Sequence, residues 1–428
     1  MHPFVEFFSF SDANVRFVVA GTVLLALSSS LVGCFAFLRK RTLAGDVISH
    51  SILPGVCLAF LVFNSKNPFL LLLGASCTGW LSVIGIDYIV KNSKLKEDTA
   101  LALVLSVFFG IGIFLLTAIQ HTNMANQTGL DKFLFGKAAS LVGEDVLVFF
   151  SFAGILLLVL FLFFKELSLV TFDRNFSQTS GLPVKFIEVL LSALTVMAVV
   201  VGIQSVGVVL MAAMLITPAA AARYWTDNLK IMLLLAGFFA AVSGVSGSFI
   251  SFVAPGMATG PWMVLMLSFI AFASFVFAPR KGMLHVWFVK RANRQQIRSE
   301  NLLKAIYKRA ETHQDHTEGY TLESLKQMEV LAKEHFKETL QTIQTSGYLT
   351  FKKGLYYVTK EGLEKGKRIT RLHRLWELYL TKYLYLPPDH VHDDSETIEH
   401  LITPEVEVNL EEALGKPDKD PHQKDIPY

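Results

Sequence analysis

The first 278 residues consist largely of apolar runs, each about long enough for a helix to cross a bilayer. Such a helix needs about 20 apolar residues, because it must span a hydrocarbon core about 30 Å thick. Beyond Arg280 these runs cease and the sequence reads like a soluble domain. The whole chain is 52% hydrophobic and 18% charged, which is far more apolar than an ordinary globular protein. We therefore predict an all-α polytopic membrane protein that is followed by a soluble C-terminal region.

We predict nine membrane spans, two of which contain a proline. They lie near residues 16–38, 44–63, 68–90, 98–120, 144–164, 184–202, 205–222, 229–252 and 261–279. Pro54 interrupts the second span and Pro218 interrupts the seventh. A membrane tolerates a broken helix where the helix lines a path enclosed by protein or filled with water. The second and seventh spans are therefore candidates for lining such a path.

The basic residues between the spans predict the orientation of the chain. Loops after odd-numbered spans carry thirteen Lys and Arg residues, whereas loops after even-numbered spans carry three. Lys and Arg are enriched in cytoplasmic loops of membrane proteins. We therefore expect a multi-pass protein of the cell membrane (the inner or plasma membrane), with its N-terminus outside and its C-terminal region in the cytoplasm.

The second span contains two ionisable residues, Asp46 and His50, within the stretch RTLAGDVISHSILPG. An ionised group at the centre of a bilayer costs roughly 2.5–3.5 kcal/mol, so each one requires a reason. Residues four apart lie on one face of a helix. A carboxylate and an imidazole on one face can share a divalent metal such as manganese, zinc or iron. Alternatively, Asp46 caps the helix and His50 hydrogen-bonds a neighbour.

Five segments of the first 285 residues together resemble a known family. They are LVGCFAFLRKRTLAGDVISHSILPGV, DKFLFGKAASL, VTFDRNFSQTSGLPV, QSVGVVLMAAMLITPAAAA and SFVFAPRKG. In order and spacing they resemble the manganese/zinc/iron permeases of ABC importers, over residues 10–285. The resemblance implies a permease of the type II importer kind, paired with a second copy or a paralogue around a translocation path. It also implies that Asp46 and His50 lie on the path of the metal.

The same resemblance implies two kinds of partner. An ABC ATPase subunit would sit on the cytoplasmic face, and an extracytoplasmic metal-binding protein would deliver the metal. The chain has no GxxxxGK[ST] phosphate-binding loop, so we expect it to bind no ATP and to be a transport subunit rather than an enzyme.

The segment FDRNFSQTSGLP, between the fifth and sixth spans, is the predicted coupling helix that docks into the ATPase. The resemblance implies this role, and four residues of the segment are its candidate site residues: Asp173, Arg174, Ser180 and Gly181. Its chemistry agrees, because Asp173 is suited to cap the start of a short helix and Gly181 to cap its end. The alternative is an ordinary connecting loop.

The soluble region divides by charge and by pattern. Residues 280–388 carry 21 Lys and Arg against 11 Asp and Glu, whereas residues 389–428 carry 3 against 12. We predict a linker at 286–298, a winged-helix domain at 299–370 and a metal-binding and dimerisation region at 371–428. The winged helix would place its third helix in a DNA major groove. Its basic charge suits DNA, but also suits anionic lipid headgroups beside a membrane.

The C-terminal region carries residues with side chains that bind metals. His373 and Glu377 lie four apart in RLHRLWELYL, and VHDDSETIEHLI adds further candidates. Residues 297–427 resemble the iron- and manganese-dependent repressors. By that resemblance Glu396, Glu399 and His400 match the ligands of a primary metal site. His373, Glu377 and His392 match those of a second site. The alternative is a solvated acidic helix.

One position departs from the repressor pattern. Where that family supplies further ligands, this chain offers Asn301 and Lys304. A protonated lysine cannot bind a metal and would repel a cation. We expect Lys304 to lie near Glu396 and Glu399.

Two hypotheses for the whole chain follow from these patterns. In one, the permease carries a divalent metal and the C-terminal region senses cytosolic metal and restrains transport. In the other, the C-terminal region is a metal-dependent repressor, either tethered to the membrane or released by proteolysis near 290–298.

Overall fold

A computed structural model of the chain describes all residues except 1–2, 42, 66, 122–142, 255, 329–334, 388–390, 392–394 and 397. The chain forms two compact units, Met1–His285 and Val286–Tyr428. The predicted segment DKFLFGKAASL lies outside the described residues.

The first unit is built from thirteen helices in the described residues. They are α1 (Pro3–Phe8), α2 (Ala13–Leu38), α3 (Ala44–Ser51), α4 (Leu53–Phe63), α5 (Pro68–Asn92), α6 (Glu97–His121), α7 (Gly143–Leu162), α8 (Phe164–Phe172), α9 (Arg174–Thr179), α10 (Val184–Val206), α11 (Val208–Trp225), α12 (Leu229–Val253) and α13 (Thr259–Phe277). Helix α2 is central, because it packs against α10, α11 and α12. The prediction of an almost entirely helical membrane protein is confirmed.

A helix lies at each of the nine predicted spans, but they are not all equally suited to crossing a bilayer. Within the described residues, seven helices are long and apolar enough to do so, with α3 and α4 together forming one of them. Helices α7 and α8 are bent by 68° and make an eighth span if the pair crosses together. The remaining predicted span corresponds to α11, which has 18 residues and contains Pro218.

The second span is interrupted at Ile52, between α3 and α4, but the backbone there stays helical and the two helices form one span. Helix α3 ends at Ser51, and Pro54 occupies the first turn of α4. Proline is tolerated in a first turn, because its missing N–H has no partner within the helix there. The break leaves α3 as a short helix of eight residues that contains both Asp46 and His50.

The second unit begins with a long helix where we predicted a linker. Helix α14 runs from Met283 to His313 without interruption, so the prediction of a poorly structured stretch near 290–298 is wrong. The reason is local: residues 283–313 contain no glycine or proline and are rich in Arg, Lys, Gln, Leu and Ala, which favour a helix.

The remaining elements form a winged helix and a helical C-terminal part. They are α15 (Leu322–Met328), α16 (Phe336–Thr345), β1 (Leu349–Lys352), β2 (Leu355–Val358), α17 (Lys360–Tyr383) and α18 (Pro404–Leu414). The strands pair antiparallel, with Leu349 opposite Val358. Lys353 and Gly354 both have positive φ, as a two-residue hairpin turn requires. Leu302, Ile306 and Leu325 belong to the core beneath this wing.

Candidate functional site

Asp46 and His50 share one face of helix α3 inside the first unit. The Nε2 atom of His50 lies 3.5 Å from Oδ1 of Asp46. The side chain of Asp46 is 39% exposed and that of His50 is 19% exposed. Leu43 occupies the position before α3 and makes no side-chain cap, and Asp46 lies inside the first turn. The alternative in which Asp46 caps the helix is therefore wrong.

One of the two ring nitrogens of His50 lacks a hydrogen-bond partner in the described residues. Its Nδ1 atom is buried and has no hydrogen-bond partner in the described part of the chain. The ring contacts Phe109 edge to face, with centroids 4.9 Å apart. A buried polar atom without a partner is costly, so it is a natural place for a ligand or water to bind.

The pair consists of a carboxylate and an imidazole, ligand types that bind divalent metals. Among the residues that the structure describes, no group of three or more His, Cys, Asp and Glu side chains is placed to hold a metal ion. Two protein ligands leave the other coordination positions to water or to a further protein chain.

Arginine side chains near the ends of α2 and α3 connect several helices. Nε of Arg41 lies 2.9 Å from Glu97 on α6, and its Nη2 lies 3.4 Å from Asp87 on α5. Nη2 of Arg39 lies 2.8 Å from Glu188 on α10. These ion pairs join the start of the broken span to the neighbouring helices, so they help to position it.

The predicted coupling segment folds as a short capped helix, α9. The backbone N–H of Phe176 donates to Oδ1 of Asp173 at 2.8 Å, which is a side-chain cap at the start of the helix. Ser180 ends the helix, and Gly181 follows with φ +81°. The N–H of Leu182 donates to the carbonyl of Ser177 at 3.1 Å, which closes the helix with a Schellman motif.

Helix α9 is also tied to the rest of the first unit. Nη2 of Arg174 lies 3.2 Å from Glu188, the carboxylate that also pairs with Arg39. Phe176 is an exposed aromatic side chain on this short polar helix. The arrangement presents α9 outward while one carboxylate links it to α2 and α10.

In the second unit, Lys304 lies among the predicted metal ligands. Its Nζ atom donates to both carboxylate oxygens of Glu399, each at 2.8 Å, and lies 3.1 Å from Nδ1 of His373. Glu396 is further away, at 3.9 Å. The expectation that Lys304 lies near Glu396 and Glu399 is confirmed.

Side chains that were assigned to two different metal sites contact one another. Nδ1 of His373 lies 2.6 Å from Glu399, and its Nε2 lies 3.1 Å from Glu377. We call Lys304, His373, Glu377, Glu396 and Glu399 the Lys304 cluster. Burial opposes ionisation of Glu399, but its contacts with His373 and Lys304 outweigh this effect and lower its pKa.

His400 contacts Glu300 and Asn301, neither of which was predicted to be its partner. Its Nδ1 lies 2.7 Å from Glu300, and its Nε2 lies 2.9 Å from Oδ1 of Asn301. Lys365 pairs with Glu300 at 2.9 Å. Burial disfavours the charged form of Glu300, but hydrogen bonds from His400, Lys365 and Gln296 lower its pKa to about 2. Glu300 was missed, although it lies four residues before Lys304 on the same helical face.

These residues do not fit a bound metal. Lys304 occupies both oxygens of Glu399, and both ring nitrogens of His400 face protein oxygens. A metal at Glu399 would sit beside an ammonium, which repels it. In the described part of the second unit, no set of three potential ligands converges on one point. The predicted ligand His392 lies outside the described residues.

Comparisons with known proteins identify relatives for both units. Residues 11–278 match the family described as "ABC 3 transport family", and residues 359–428 match "Iron dependent repressor, metal binding and dimerisation domain". The chain is 43% identical to the "Manganese transport system membrane protein MntC" of Bacillus subtilis, over 86% of this chain and 84% of that protein.

Two further similarities concern the membrane unit. The "Zinc transport system membrane protein TroC" of Treponema pallidum is 43% identical over 68% of this chain and 98% of its own length. About a third of this chain therefore lies outside that match. The solved structure "PsaBC from Streptococcus pneumoniae in complex with Fab" is 33% identical, with a TM-score of 0.59, over 66% of this chain and 99% of that one.

Proposed function

The chain belongs to the ABC 3 transport family, and on that premise we propose that it is the permease subunit of an importer for divalent transition metals. Relatives 43% identical to it are named as manganese and zinc transport membrane proteins. The observation that carries the proposal is the pair of Asp46 and His50 on one face of α3, in the second span. Its oxygen and nitrogen ligands suit manganese, zinc and iron alike.

The Asp46–His50 pair acts as a transit site for the cargo. The carboxylate compensates part of the charge of a dehydrating cation, and Nδ1 of His50, which has no partner in the described residues, is available when the ring turns. The pair lies on α3, before the interruption at Ile52. The cation is thus held by few ligands and can move on.

The transporter requires partners that this chain does not supply. ATP hydrolysis comes from a separate ABC ATPase subunit, because the sequence contains no phosphate-binding loop. Helix α9 is the proposed docking element for that subunit, and in this proposal both α9 and the second unit lie in the cytoplasm. A metal-binding protein delivers the cargo from outside, and a second permease chain completes the path.

The experiment is uptake of labelled manganese, zinc and iron by cells that carry this permease with its cognate ATPase. We expect uptake of manganese or zinc that stops when the ATPase is inactivated. An ATPase variant unable to hydrolyse ATP is the matched control. Equal uptake with the active and the inactive ATPase would refute the proposal.

The second unit stays attached to the permease and acts on transport from the cytoplasmic side. Release by proteolysis near 290–298 is disfavoured, because these residues are part of helix α14. Immunoblotting for the C-terminal unit should detect the full-length chain alone. A free C-terminal fragment in cells would favour a released regulator instead.

DNA binding is a second candidate, and the winged-helix order of elements favours it. Helix α16 would enter the groove. It carries one Lys and one Glu and therefore no net charge, although attraction to phosphates normally needs a basic surface. Binding of the full chain to the promoter DNA of its own genes, lost on substitution of Lys337 by Ala, would establish this role.

A further inference from the structure

Lys304 is buried to a degree that is unusual for a lysine. Only 5% of the residue is exposed, and it lies in α14 facing α17. Fully buried lysines are rare unless they are paired, because an unpaired ammonium loses its hydration without compensation. The position of this ammonium therefore requires partners that replace water.

The fold fixes the depth at which Lys304 is buried. Gly366 of α17 packs directly on the backbone of α14, and a Cβ atom at this position would lie 2.6 Å from the carbonyl oxygen of Leu303. Only glycine permits so close an approach. The residue after Leu303 is Lys304, so its side chain is brought against the face of α17 that carries His373 and Glu377.

The contacts of the ammonium resemble those of a small cation. Nζ lies 2.8 Å from each oxygen of Glu399, 3.1 Å from Nδ1 of His373 and 3.9 Å from Glu396. These are oxygen and nitrogen atoms of the types that bind divalent metals. Glu399 is fully buried, with 0% of its side chain exposed, so its charge needs a cation.

The neighbouring candidate ligands are satisfied by the protein as well. His400 lies between Glu300 and Asn301, and Glu300 is paired with Lys365. The region thus contains its own positive charges at two points, Lys304 and Lys365. A divalent cation entering here would have to displace an ammonium and then remain beside it.

We propose that Lys304 is a built-in substitute for a divalent cation, and that it holds α14, α17 and Glu399 together without metal. The second unit therefore keeps its folded shape at every metal concentration. The matching family is described as a metal-binding domain, which implies a resident metal. The second unit differs from that description, because Lys304 takes the place of the metal. This inference concerns the second unit alone and does not depend on the cargo of the permease.

Hydrogen exchange on the purified full-length chain in lipid nanodiscs tests the proposal. Peptides covering 369–377 and 398–402 report on the Lys304 cluster, separately from any metal bound in the membrane unit. In the natural chain we expect exchange in these peptides to change less than about twofold between chelator and saturating manganese or zinc.

Two substitutions sharpen the test. Lys304→Met leaves Glu399 buried without a cation, so exchange in chelator should accelerate on the order of 100-fold. Lys304→Glu replaces the ammonium by an oxygen ligand, and saturating metal should restore at least about tenfold protection. Lys308→Met, one turn further along α14, is the matched control and should not accelerate exchange.

Two results would overturn the proposal. One is metal-dependent protection of about tenfold or more in the natural chain, which would show that metal binds in spite of Lys304. The other is equal exchange in Lys304→Met and Lys308→Met, which would show that the ammonium does not hold the cluster. The first result requires no variant, so the proposal can fail even if Lys304→Met does not fold.

Discussion

The two units contain the same kinds of potential ligand, carboxylates and imidazoles, in opposite electrostatic states. Asp46 and His50 are partly exposed, and Nδ1 of His50 is buried with no partner in the described residues. Glu399 and His373 are fully buried and are paired with Lys304. A pair that lacks a cation can receive one, whereas a cluster that contains its own cation cannot. Ligand types and spacing alone do not distinguish the two cases.

The largest expected effect is loss of transport when the Asp46–His50 pair is removed. Asp46→Ala or His50→Ala should reduce uptake of labelled metal by about 100-fold or more, because intramembrane ionisable groups on an ion path are functional. Ser51→Ala is the matched control: it lies next to His50, and its buried hydroxyl has no partner in the described chain. Normal uptake by both variants, at normal protein levels, would remove these residues from the path.

Disrupting the Lys304 cluster should lower the stability of the second unit. Glu399→Gln leaves the ammonium of Lys304 without its main partner, and breaking a buried pair costs about 3–5 kcal/mol. Glu396→Gln is the control, since its side chain is 47% exposed and 3.9 Å from Lys304. Thermal unfolding of the second unit should shift downward by about 10 °C for Glu399→Gln and by little for Glu396→Gln. Similar shifts for both would contradict a specific role for Glu399.

A smaller effect concerns the predicted coupling helix. Gly181 has φ +81° and open space around its Cα, so a side chain there is penalised by backbone strain alone, roughly 1–2 kcal/mol. Gly181→Val should distort α9 and make the ATPase activity of the complex insensitive to the delivery protein. Gly154→Val, in a helix with equally open space, is the control. Stimulation that survives Gly181→Val would exclude this segment as the coupling element.

A separate effect is a pH dependence near the Lys304 cluster. Burial, reinforced by the charge of Lys304, lowers the pKa of Lys308 from 10.5 to about 8. The unfolded chain then binds the proton more tightly than the folded chain, so this residue destabilises the fold below about pH 8. The penalty fades as the pH rises from about 8 towards about 10.5.

Lys308→Met removes that penalty. The variant should therefore be more stable than the natural chain at pH 7, and the difference should shrink as the pH rises above about 8. Chemical denaturation of both proteins across this range measures the difference. A difference independent of pH would show that Lys308 titrates normally.

The sequence predicted much of the fold and some of the chemistry, for identifiable reasons. Long apolar runs place the spans, and Pro54 places the break in the second one, because both signals are local. The caps of α9 at Asp173 and Gly181 were predicted for the same reason. The expectation of a poorly structured stretch near 290–298 was wrong, because these residues favour a helix.

The partners of buried charges were harder to predict. Glu300 and His400 are a hundred residues apart in the sequence, and no local pattern indicates that their side chains are in contact. Lys304 was recognised only as a departure from a family pattern, and its bond to both oxygens of Glu399 needed the tertiary structure. The contact between His373 and Glu399 was likewise not predicted, because the two residues were assigned to different metal sites.

Binding of manganese to the full-length chain in nanodiscs, followed by electron paramagnetic resonance, tests the contrast between the two units most directly. The account predicts that His50→Ala removes the protein-bound manganese, whereas Glu396→Gln leaves its amount unchanged. Both variants remove one predicted ligand, and each affects a different unit. Manganese that persists in His50→Ala and disappears in Glu396→Gln would contradict the account, because it would place the cation in the cluster that Lys304 is proposed to close.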